Sequence, residues 1–463
     1  MRPAATPQAV GLAHCKTNES PPTKTNPKPP LHMLQQTPVR FRGWTVLFSA
    51  LGVNLIIGSL YAWSVMGKAL AGQWHWTKTQ AMLPFATCTA SFAVTMIFAG
   101  RWQDKIGPRY VAMLGGCTFG LGMVLSSFVH ACVPMLITFG LIGGMGIGLG
   151  YSATTPPSIK WFPPARKGLI TGIVVSGVGL AAVYMSPLTN YLLKIGSIQQ
   201  TFLILGIGTI VLVALLAQFL ANPPVGYAPA QATAAQTASP AKPVPSARRD
   251  LEWHEMLRTS QFYQLWLMFV LSASAGLLII GNITLIAQDQ APKWDKAFLL
   301  VMVVAIFNTV GRFLSGFVSD RLGRTHTMVL AFALQALNMF MFVQYRSPAL
   351  LLFGSAFTGL CYGTIFTLFP AATADFYGVR NLGVNYGSLF TAFGVAGVTG
   401  SVLGGRVRDL FGTYTYAFVT CGVMLLAGAA LAFALRAPQP APAPVAPPTL
   451  GRTERSGAAE AVK

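Results

Sequence analysis

Twelve apolar segments, each about 20 residues long, constrain this chain more than any other feature of its sequence. A helix of that length crosses the ~30 Å hydrocarbon core of a bilayer. Charged residues make up only 10% of the chain, whereas a soluble protein carries about 25%. The sequence therefore predicts an all-α membrane protein with twelve transmembrane helices in two six-helix pseudo-symmetric bundles. The expected spans are 43–66, 79–100, 110–129, 133–155, 168–193, 198–220, 261–285, 297–318, 327–345, 349–374, 383–404 and 414–436.

A polar stretch between the sixth and seventh segments divides the chain in two. Residues 222–258 are rich in Ala, Pro, Gln and Thr, a composition typical of a flexible linker. We expect one six-helix bundle on each side of it, at 41–221 and 259–437. The terminal stretches 1–40 and 438–463 are polar and Pro-rich, and we expect both to be disordered tails.

The net charge of +20 is spread over loops and tails, so it does not form the basic face expected of a nucleic-acid-binding protein. Its distribution indicates an orientation instead. An even number of spans puts both termini on one side, and that side carries 23 Lys and Arg residues against 8 on the other. The positive-inside rule makes the richer side the cytoplasm. We therefore expect a multi-pass protein of the cell inner membrane, with both tails and the linker in the cytoplasm.

The two halves of the chain repeat one loop sequence. GRWQDKIGPR follows the second span, and the similar GFVSDRLGR follows the eighth. In nearly the same register, Gly168 and Gly172 of the fifth span match Gly383 and Gly387 of the eleventh. Parallel six-span repeats are typical of transporters, which bind substrate near mid-membrane between the halves. The loop-motif residues are Gly100, Asp104, Lys105 and Gly107 in the first copy and Gly316, Asp320, Arg321, Gly323 and Arg324 in the second.

Two interpretations of this loop remain open. In the first, its leading Gly lets two helices approach closely. Its Asp suits a position before the next helix, while its Arg or Lys residues suit a helix C-terminus or lipid phosphates. Both copies would then lock the cytoplasmic side while the carrier faces outward. In the second, the loop is a tight turn whose charges only fix the topology. Its presence at matching places in both halves favours the gating role.

Arg312 is the one Lys, Arg, Asp or Glu that lies deep inside an apolar span. A cation at the bilayer centre costs roughly 2.5–3.5 kcal/mol on insertion scales, so we interpret Arg312 as the binding group for an organic anion. The alternatives are a structural partner that neutralises it, or snorkelling to the interface. The matching position in the first half of the repeat is Met96, so the charge belongs to one half only. Asn308, one turn before Arg312, is expected to face the same way.

Four segments together resemble one transporter family. They are GSLYAWSV (58–65), GLGYSATTPPSIKWFP (148–163), NTVGRFLSGFVSDRLGR (308–324) and NYGSLFTAFGVAG (385–397). The doubled loop motif is similar to that of the major facilitator superfamily. The four segments together are similar to its oxalate/formate antiporter family, and the resemblance covers roughly residues 41–436.

The resemblance implies a role for Arg312 and a limit on the substrate. Arg312 matches the family's carboxylate-binding arginine, and a guanidinium can pair a carboxylate bidentately. The family's oxalate exchanger carries a second cation, a Lys, where this chain has Phe393. A dicarboxylate would leave one carboxylate unpaired in a low-dielectric site, which is costly. We therefore expect the partner to be a small monocarboxylate such as lactate, pyruvate or formate.

Other residues are candidates for the same site. Tyr61, Tyr151 and Tyr362 lie in Gly-flanked helices and could offer hydroxyls to a carboxylate, although membrane tyrosines are more often interface anchors or packing residues. Monocarboxylate carriers distantly similar to this chain tend to have Asp where it has Asn308, which cannot take a proton. Asp289, at the outer end of the seventh span, is alone among the acids of the second half in lying near a membrane segment on that side. It is therefore the candidate for proton coupling, and a solvated loop carboxylate is the alternative.

The sequence contains no nucleophile–base pair, metal-ligand cluster or cofactor fingerprint, so we expect no enzyme activity, metal or cofactor. The leading hypothesis is a secondary transporter that works by alternating access, with proton symport preferred. The alternatives are an oxalate/formate-type anion exchanger and a non-transporting anion sensor on a transporter fold. The expected partners are a small carboxylate, a proton or counter-anion and the lipid bilayer, and we expect a functional monomer.

Overall fold

The computed structural model describes residues 39–163, 167–224, 227, 250–378 and 381–436. By internal contacts the chain divides into Met1–Arg42 and Gly43–Lys463. Apart from residues 39–42, everything described below belongs to the second unit. The predicted tails lie outside the described residues, except that Val39 and Arg40 are already helical.

Twelve helices of the described residues are long and apolar enough to cross a membrane, which confirms the predicted all-α class and span count. No strand occurs among the residues that the structure describes. Large apolar side chains such as Phe128 and Phe433 are 74% and 81% exposed, as expected of surfaces that face lipid. The twelve helices are α1 (Arg42–Gln73), α2 (Lys78–Ile106), α3 (Pro108–Ser126), α4 (Cys132–Lys160), α5 (Lys167–Ile195), α6 (Ile198–Ala217), α7 (Ser260–Gln290), α8 (Phe298–Leu322), α9 (Arg324–Phe342), α10 (Pro348–Tyr377), α11 (Leu382–Phe411) and α12 (Thr415–Ala434).

The ends of several helices follow from local sequence. Thr77 forms a capping box with Gln80 at the start of α2, because each side chain bonds the other residue's backbone N–H. Gly107 ends α2 and Gly323 ends α8, with φ of 96° and 85°, and in each case the next helix begins at the following residue. Glycine adopts this left-handed backbone at little cost. The second Gly of each loop motif is therefore required by the turn.

Two of the helices are irregular where they pass the interior. In α1, residues Gly58–Ala62 form a 3-10 segment that carries Tyr61. A Cβ at Gly58 would lie 2.7 Å from the Cα of Val178, so α1 and α5 meet backbone to backbone at this point. In α4, residues Leu136–Gly143 form a π-helical segment. Such breaks in regular hydrogen bonding often accompany functional sites in membrane helices.

Three helix pairs make most of the contacts between the first six helices and the last six in the described part of the chain. They are α2 with α11, α5 with α8, and α1 with α7. We call the end of the bundle that carries Gly100–Arg109 and Gly316–Arg324 the motif side, and the other end the opposite side. The packing of small residues differs between these two ends.

Small residues of α11 pack tightly toward the opposite side. A Cβ added at Gly397 would lie 1.9 Å from the Oγ1 of Thr89, and one at Gly405 would lie 2.7 Å from the carbonyl oxygen of Lys78. The α1–α7 pair is closed at the same end, where Thr284 donates a hydrogen bond to the carbonyl of Ser64. The opposite side is therefore sealed by close helix contact.

The motif side is more open. Added Cβ atoms at Gly383 and Gly387 of α11, and at Gly100 of α2, would meet nothing within 4 Å. In this conformation Gly100 therefore brings no two helices together, and Gly316 makes only an ordinary contact with Thr367, at 3.7 Å. The gating role concerns the state in which the carrier faces outward, and it stays a prediction. The described residues thus form a helical bundle that is closed at one end and more loosely packed at the other.

The end of the predicted linker packs on the second bundle. Residues Trp253–Met256 form one helical turn. The N–H of Leu251 donates to the carbonyl of Tyr377, and its own carbonyl accepts from the side chains of Asn381 and Asn385. This part of 222–258 is therefore held by specific contacts, unlike the flexible chain expected from composition.

Candidate functional site

The crossing of α8 and α10 fixes the backbone around Arg312. A Cβ at Gly363 would lie 2.1 Å from the carbonyl oxygen of Asn308, and one at Gly311 would lie 2.1 Å from that of Leu360. Only glycine permits this separation, which is closer than ordinary helix packing allows. The hydroxyl of Thr367 also donates to the carbonyl of Arg312 at 3.0 Å. The position of Arg312 is therefore set by contact between two helix backbones.

The guanidinium of Arg312 is buried and reaches across the interior. Arg312 is 6% exposed. The Nε donates to the Oδ1 of Asn308 at 3.2 Å, and Nη1 donates to the carbonyl oxygen of Val175 in α5 at 3.1 Å. The Cζ lies 4.4 Å from the ring centroid of Phe366, a cation–π geometry. Arg312 therefore touches both bundles.

Neither alternative for Arg312 describes this geometry. The side chain does not snorkel, because its donors are bonded to groups on α8 and α5. Within the described ranges, no acidic side chain pairs with it, and Nη2 has no protein acceptor. A buried cation with neutral partners and a spare donor is able to bind an anion.

Four tyrosines lie in the same region of the interior as Arg312. The hydroxyls of Tyr61 and Tyr362 lie 3.4 Å apart and join α1 to α10. These two tyrosines, together with Tyr151 and Tyr386, lie within electrostatic range of Arg312. The structure thus brings together the three tyrosines chosen from the sequence. Tyr386 was missed, although it lies in the NYGSLF segment used for the resemblance, one turn before Phe390.

Phe393 lies in an aromatic cluster next to Arg312. It is fully buried, with ring centroids 5.0 Å from Phe390, 5.9 Å from Phe366 and 5.7 Å from Phe92. Because Phe366 also stacks on the guanidinium, Phe393 is one ring removed from the cation. An apolar wall therefore occupies the place from which a second cation could have approached.

A small cavity lies next to Asn308, between Arg312 and the opposite side of the bundle. Tyr61, Ala305 and Asn308 contribute to its lining, which is otherwise apolar, and its volume is about 10 Å³. That is room for about one water molecule. The path from Arg312 toward the opposite side is therefore closed to any organic anion in this conformation.

Asp289 is not part of the Arg312 site. Its carboxylate lies near the end of α7 and is paired with Arg408 of α11, with a second contact of 3.3 Å from Nη2. A second acid, Asp409, lies beside it on the same side. The expectation that Asp289 stands alone as an acid at this end is wrong, because α11 brings Asp409 and Arg408 to the same place.

The second loop motif forms a charged cluster at the motif side. Arg324 bonds Asp320 at 3.1 Å and Asp375 of α10 at 3.4 Å, while Arg321 stacks on Phe317 with its Cζ 4.3 Å from the centroid. Asp320 lies in the last turn of α8 and not before the next helix as expected. In the first copy, Lys105 lies in the last turn of α2, and the side chain of Asp104 lies outside the described residues.

Comparisons with known proteins agree with this architecture. A family model described as Major Facilitator Superfamily matches residues 43–331 and 293–460. The oxalate:formate antiporter of Oxalobacter formigenes is 26% identical over 396 residues, covering 85% of this chain and 91% of that protein. The uncharacterized MFS-type transporter YhjX of Escherichia coli is 26% identical over 357 residues, covering 77% and 86%. Monocarboxylate transporter 13 of Bos taurus is 26% identical over 342 residues, covering 72% and 75%.

One solved structure is similar in fold. A crystal structure of a bacterial homologue of the human lysosomal transporter Spinster matches with a TM-score of 0.62, covering 86% of this chain and 97% of that one. The two sequences are 15% identical, so this likeness concerns the fold and not the substrate.

Proposed function

The chain belongs to the Major Facilitator Superfamily, whose members are transporters and not enzymes, and we propose that it carries a small monocarboxylate anion by alternating access. Lactate, pyruvate and formate are the candidate substrates. The carboxylate binds the guanidinium of Arg312, and the tyrosine hydroxyls around it complete the site. By its charge distribution, the motif side faces the cytoplasm, and the protein acts in the cytoplasmic membrane.

The observation that carries this proposal is the state of Arg312. Its charge is buried at 6% exposure, its bonded partners are neutral oxygens of Asn308 and Val175, and one donor nitrogen is unused among the described residues. A carboxylate supplies the missing negative charge and can accept from two guanidinium nitrogens at once. Because Val175 belongs to α5 and Arg312 to α8, a substrate that replaces the Val175 carbonyl alters the contact between bundles.

The preference for a substrate with a single carboxylate follows from the aromatic side chains beside Arg312. Phe366 and Phe393 occupy one side of the site, and both are aromatic. A second carboxylate on the substrate would face these rings without a cationic partner, at a desolvation cost of several kcal/mol. A small apolar substituent on a monocarboxylate would instead pack against them. Transport of oxalate should therefore be weak compared with that of lactate or pyruvate.

Proton symport and anion exchange are the two modes of coupling to consider. Symport was preferred from the sequence, with Asp289 as the proton acceptor. Two contacts favour exchange as the second candidate, since Asp289 is paired with Arg408 and the group beside Arg312 is the amide of Asn308. An empty carrier would then have to move a buried, unneutralised cation through its occluded state, which is costly. Exchange avoids this step because a substrate is bound in both directions.

Uptake into proteoliposomes tests the substrate class. Purified full-length protein should accumulate labelled lactate, pyruvate or formate above protein-free vesicles, and unlabelled monocarboxylate should compete more strongly than oxalate. Equal or stronger competition by oxalate would contradict the monocarboxylate assignment. Transport of none of these acids would contradict the proposed function.

A second assay separates the coupling modes. Vesicles are loaded with unlabelled monocarboxylate, and entry of labelled substrate is measured with and without an imposed pH gradient. Exchange predicts rapid entry that depends on internal substrate and changes little with the gradient. Symport predicts entry into empty vesicles that the gradient drives and that Asp289→Asn weakens.

A further inference from the structure

Asp409, near the end of α11, places its carboxylate against the first turn of α2. Its Oδ1 accepts a hydrogen bond from the backbone N–H of Lys78 at 3.0 Å. Its Oδ2 accepts from the N–H of Thr79 at 2.8 Å and from the Thr79 hydroxyl at 2.6 Å. One carboxylate therefore receives three donors from the start of a helix in the other bundle.

These bonds complete the N-terminus of α2. The first N–H groups of a helix have no partner within it, and the N–H of Gln80 is already bonded to Thr77. Asp409 takes the two that remain in the first turn, those of Lys78 and Thr79. A carboxylate at this position also interacts favourably with the positive end of the helix dipole. The contact has the chemistry of an N-cap, but the capping residue comes from the other bundle.

The surroundings keep this carboxylate available for α2. The neighbouring Arg408 is bound to Asp289 within its own bundle, and the hydrogen bonds of Asp409 go to Lys78 and Thr79. The backbone of Lys78 also sits directly on Gly405, one turn earlier in α11. Tyr414 lies beside the three charged groups, and burial raises the pKa of its hydroxyl, which therefore stays protonated. The Asp409 carboxylate and the contact between Gly405 and Lys78 therefore hold the same two helices, α2 and α11, together.

The second copy of the repeat has this capping carboxylate, and the first copy has a different residue at the matching position. The position that matches Asp409 in the first half of the repeat is Lys194, at the end of α5. An ammonium cannot accept hydrogen bonds from the start of α8, and Ala297, which precedes α8, provides no side-chain cap. Of these two seams, as far as the structure describes them, the one between α2 and α11 carries a capping carboxylate.

We propose that Asp409 is a latch between the bundles, which caps α2 from α11, holds the opposite side closed and is released each time that side opens. This latch rests on the proposed alternating-access function. Opening moves α11 away from α2, so Lys78 and Thr79 must exchange the carboxylate for water. Weakening the latch shifts the population toward the form open on the opposite side.

Accessibility of an introduced cysteine measures this shift. Ala305→Cys places a thiol in the closed cavity beside Asn308, and Gly383→Cys places one on the open motif side. Both are made in full-length protein whose native cysteines are replaced and which retains fold and uptake. Asp409→Ala should raise the maleimide labelling rate at position 305 about fivefold, the equilibrium shift typical of losing an N-cap, and lower that at position 383. Asp295→Ala, which removes an exposed acid on the same side, is the matched control and should change neither rate.

A backbone substitution tests the bonded atoms themselves. Proline is tolerated at the first position of a helix, so Lys78→Pro removes the N–H that Asp409 binds while keeping α2. Lys78→Ala loses the same charge but keeps the N–H. The cysteine introduced at position 305 should therefore react with maleimide more slowly in Lys78→Ala protein than in Lys78→Pro protein. In protein that already carries Asp409→Ala, this difference between the two variants should disappear.

The outcomes separate the latch from the proposed function. Unchanged labelling at position 305 in both Asp409→Ala and Lys78→Pro, in folded protein, overturns the latch even where monocarboxylate uptake is normal. Absence of uptake of any tested acid by wild type overturns the proposed substrate class, while the labelling shift still supports the latch.

Discussion

The guanidinium of Arg312 divides its donors between the two bundles. Nε is bonded to Asn308 in its own helix, Nη1 to the carbonyl of Val175 in α5, and Nη2 has no acceptor within the described part of the chain. A carboxylate that takes Nη1 and Nη2 must displace the Val175 carbonyl. Binding at a single residue is therefore coupled to the seam between α5 and α8.

In the proposed site, the neutral amide of Asn308 leaves the charge of Arg312 free for the substrate. In Asn308→Asp, the ionised carboxylate would pair with the guanidinium and compete with the transported anion. Protonation of that carboxylate removes the competitor, so uptake should be weak at neutral pH and rise as pH falls. Initial uptake rates measured from about pH 5 to 8 test this, with wild type as the baseline. A profile identical to that of wild type would contradict the role given to position 308.

In the proposed site, Phe393 occupies the position at which a second cation would bind a dicarboxylate. Phe393→Lys should lower monocarboxylate uptake by about tenfold or more, because a buried ammonium would repel Arg312 and lack a partner. Oxalate should then compete better against the remaining uptake than it does in wild type. Phe393→Met keeps an apolar side chain and is the control, expected to change oxalate competition little. Equal oxalate competition in the two variants would argue against Phe393 as a determinant of substrate charge.

The sequence predicted which residues form this site better than it predicted which groups those residues contact. A buried Arg in an apolar span is visible in sequence, and Asn308 follows from helical spacing. The Val175 carbonyl carries no sequence signal, because any residue supplies a backbone oxygen. Asp289 and Arg408 are far apart in the chain, so their pairing depends on how α7 and α11 are arranged, and the candidate role of Asp289 was assigned without it.

The contact between α8 and α10 is the element on which the site depends. A Cβ added at Gly311, Gly359 or Gly363 would lie less than 2.5 Å from a backbone atom of the other helix. Because both backbones are in contact, neither helix can rotate without moving Arg312. The two helices should behave as one rigid unit during transport.

Gly363→Ala tests this contact. The new methyl would fall 2.1 Å from the carbonyl oxygen of Asn308, so the helices must separate, at a cost of about 1–3 kcal/mol. We expect a lower melting temperature in detergent and a large loss of uptake. Gly208→Ala, in α6 with nothing within 4 Å of the new methyl, is the control and should keep both. A Gly363→Ala protein with normal stability and uptake would show that the contact does not position the site.

Element positions were well predicted because long apolar runs must be helical in a bilayer. Interruptions within them were not predicted. The 3-10 segment Gly58–Ala62 depends on how α1 meets α5, and the π segment Leu136–Gly143 lies in an apolar run that looks regular in sequence. Composition likewise indicated a flexible linker, whereas the contacts of Leu251 require α10 and α11 to be in place.

At the scale of the whole molecule, the described conformation is closed at the opposite side and loosely packed at the motif side. Sequence could not predict this state, because both states of an alternating carrier use the same spans. The asymmetry is instead visible in packing, as in Gly405 against Lys78 compared with the open space around Gly383. Alternating access requires the reverse arrangement as well, with Arg312 exposed to each side in turn.

Counterflow tests most directly whether Arg312 carries the substrate between these states. Vesicles loaded with unlabelled monocarboxylate are exposed to labelled substrate, with wild type, Arg312→Gln, Arg312→Lys and Arg346→Gln compared at equal amounts of folded protein. Arg346 is exposed in a loop on the opposite side, so its substitution controls for the loss of an arginine. We predict at least about a hundredfold loss of counterflow for Arg312→Gln, as expected when a buried charge partner is removed, a smaller loss for Arg312→Lys, and wild-type rates for Arg346→Gln. Counterflow by Arg312→Gln at the wild-type rate would contradict the central claim.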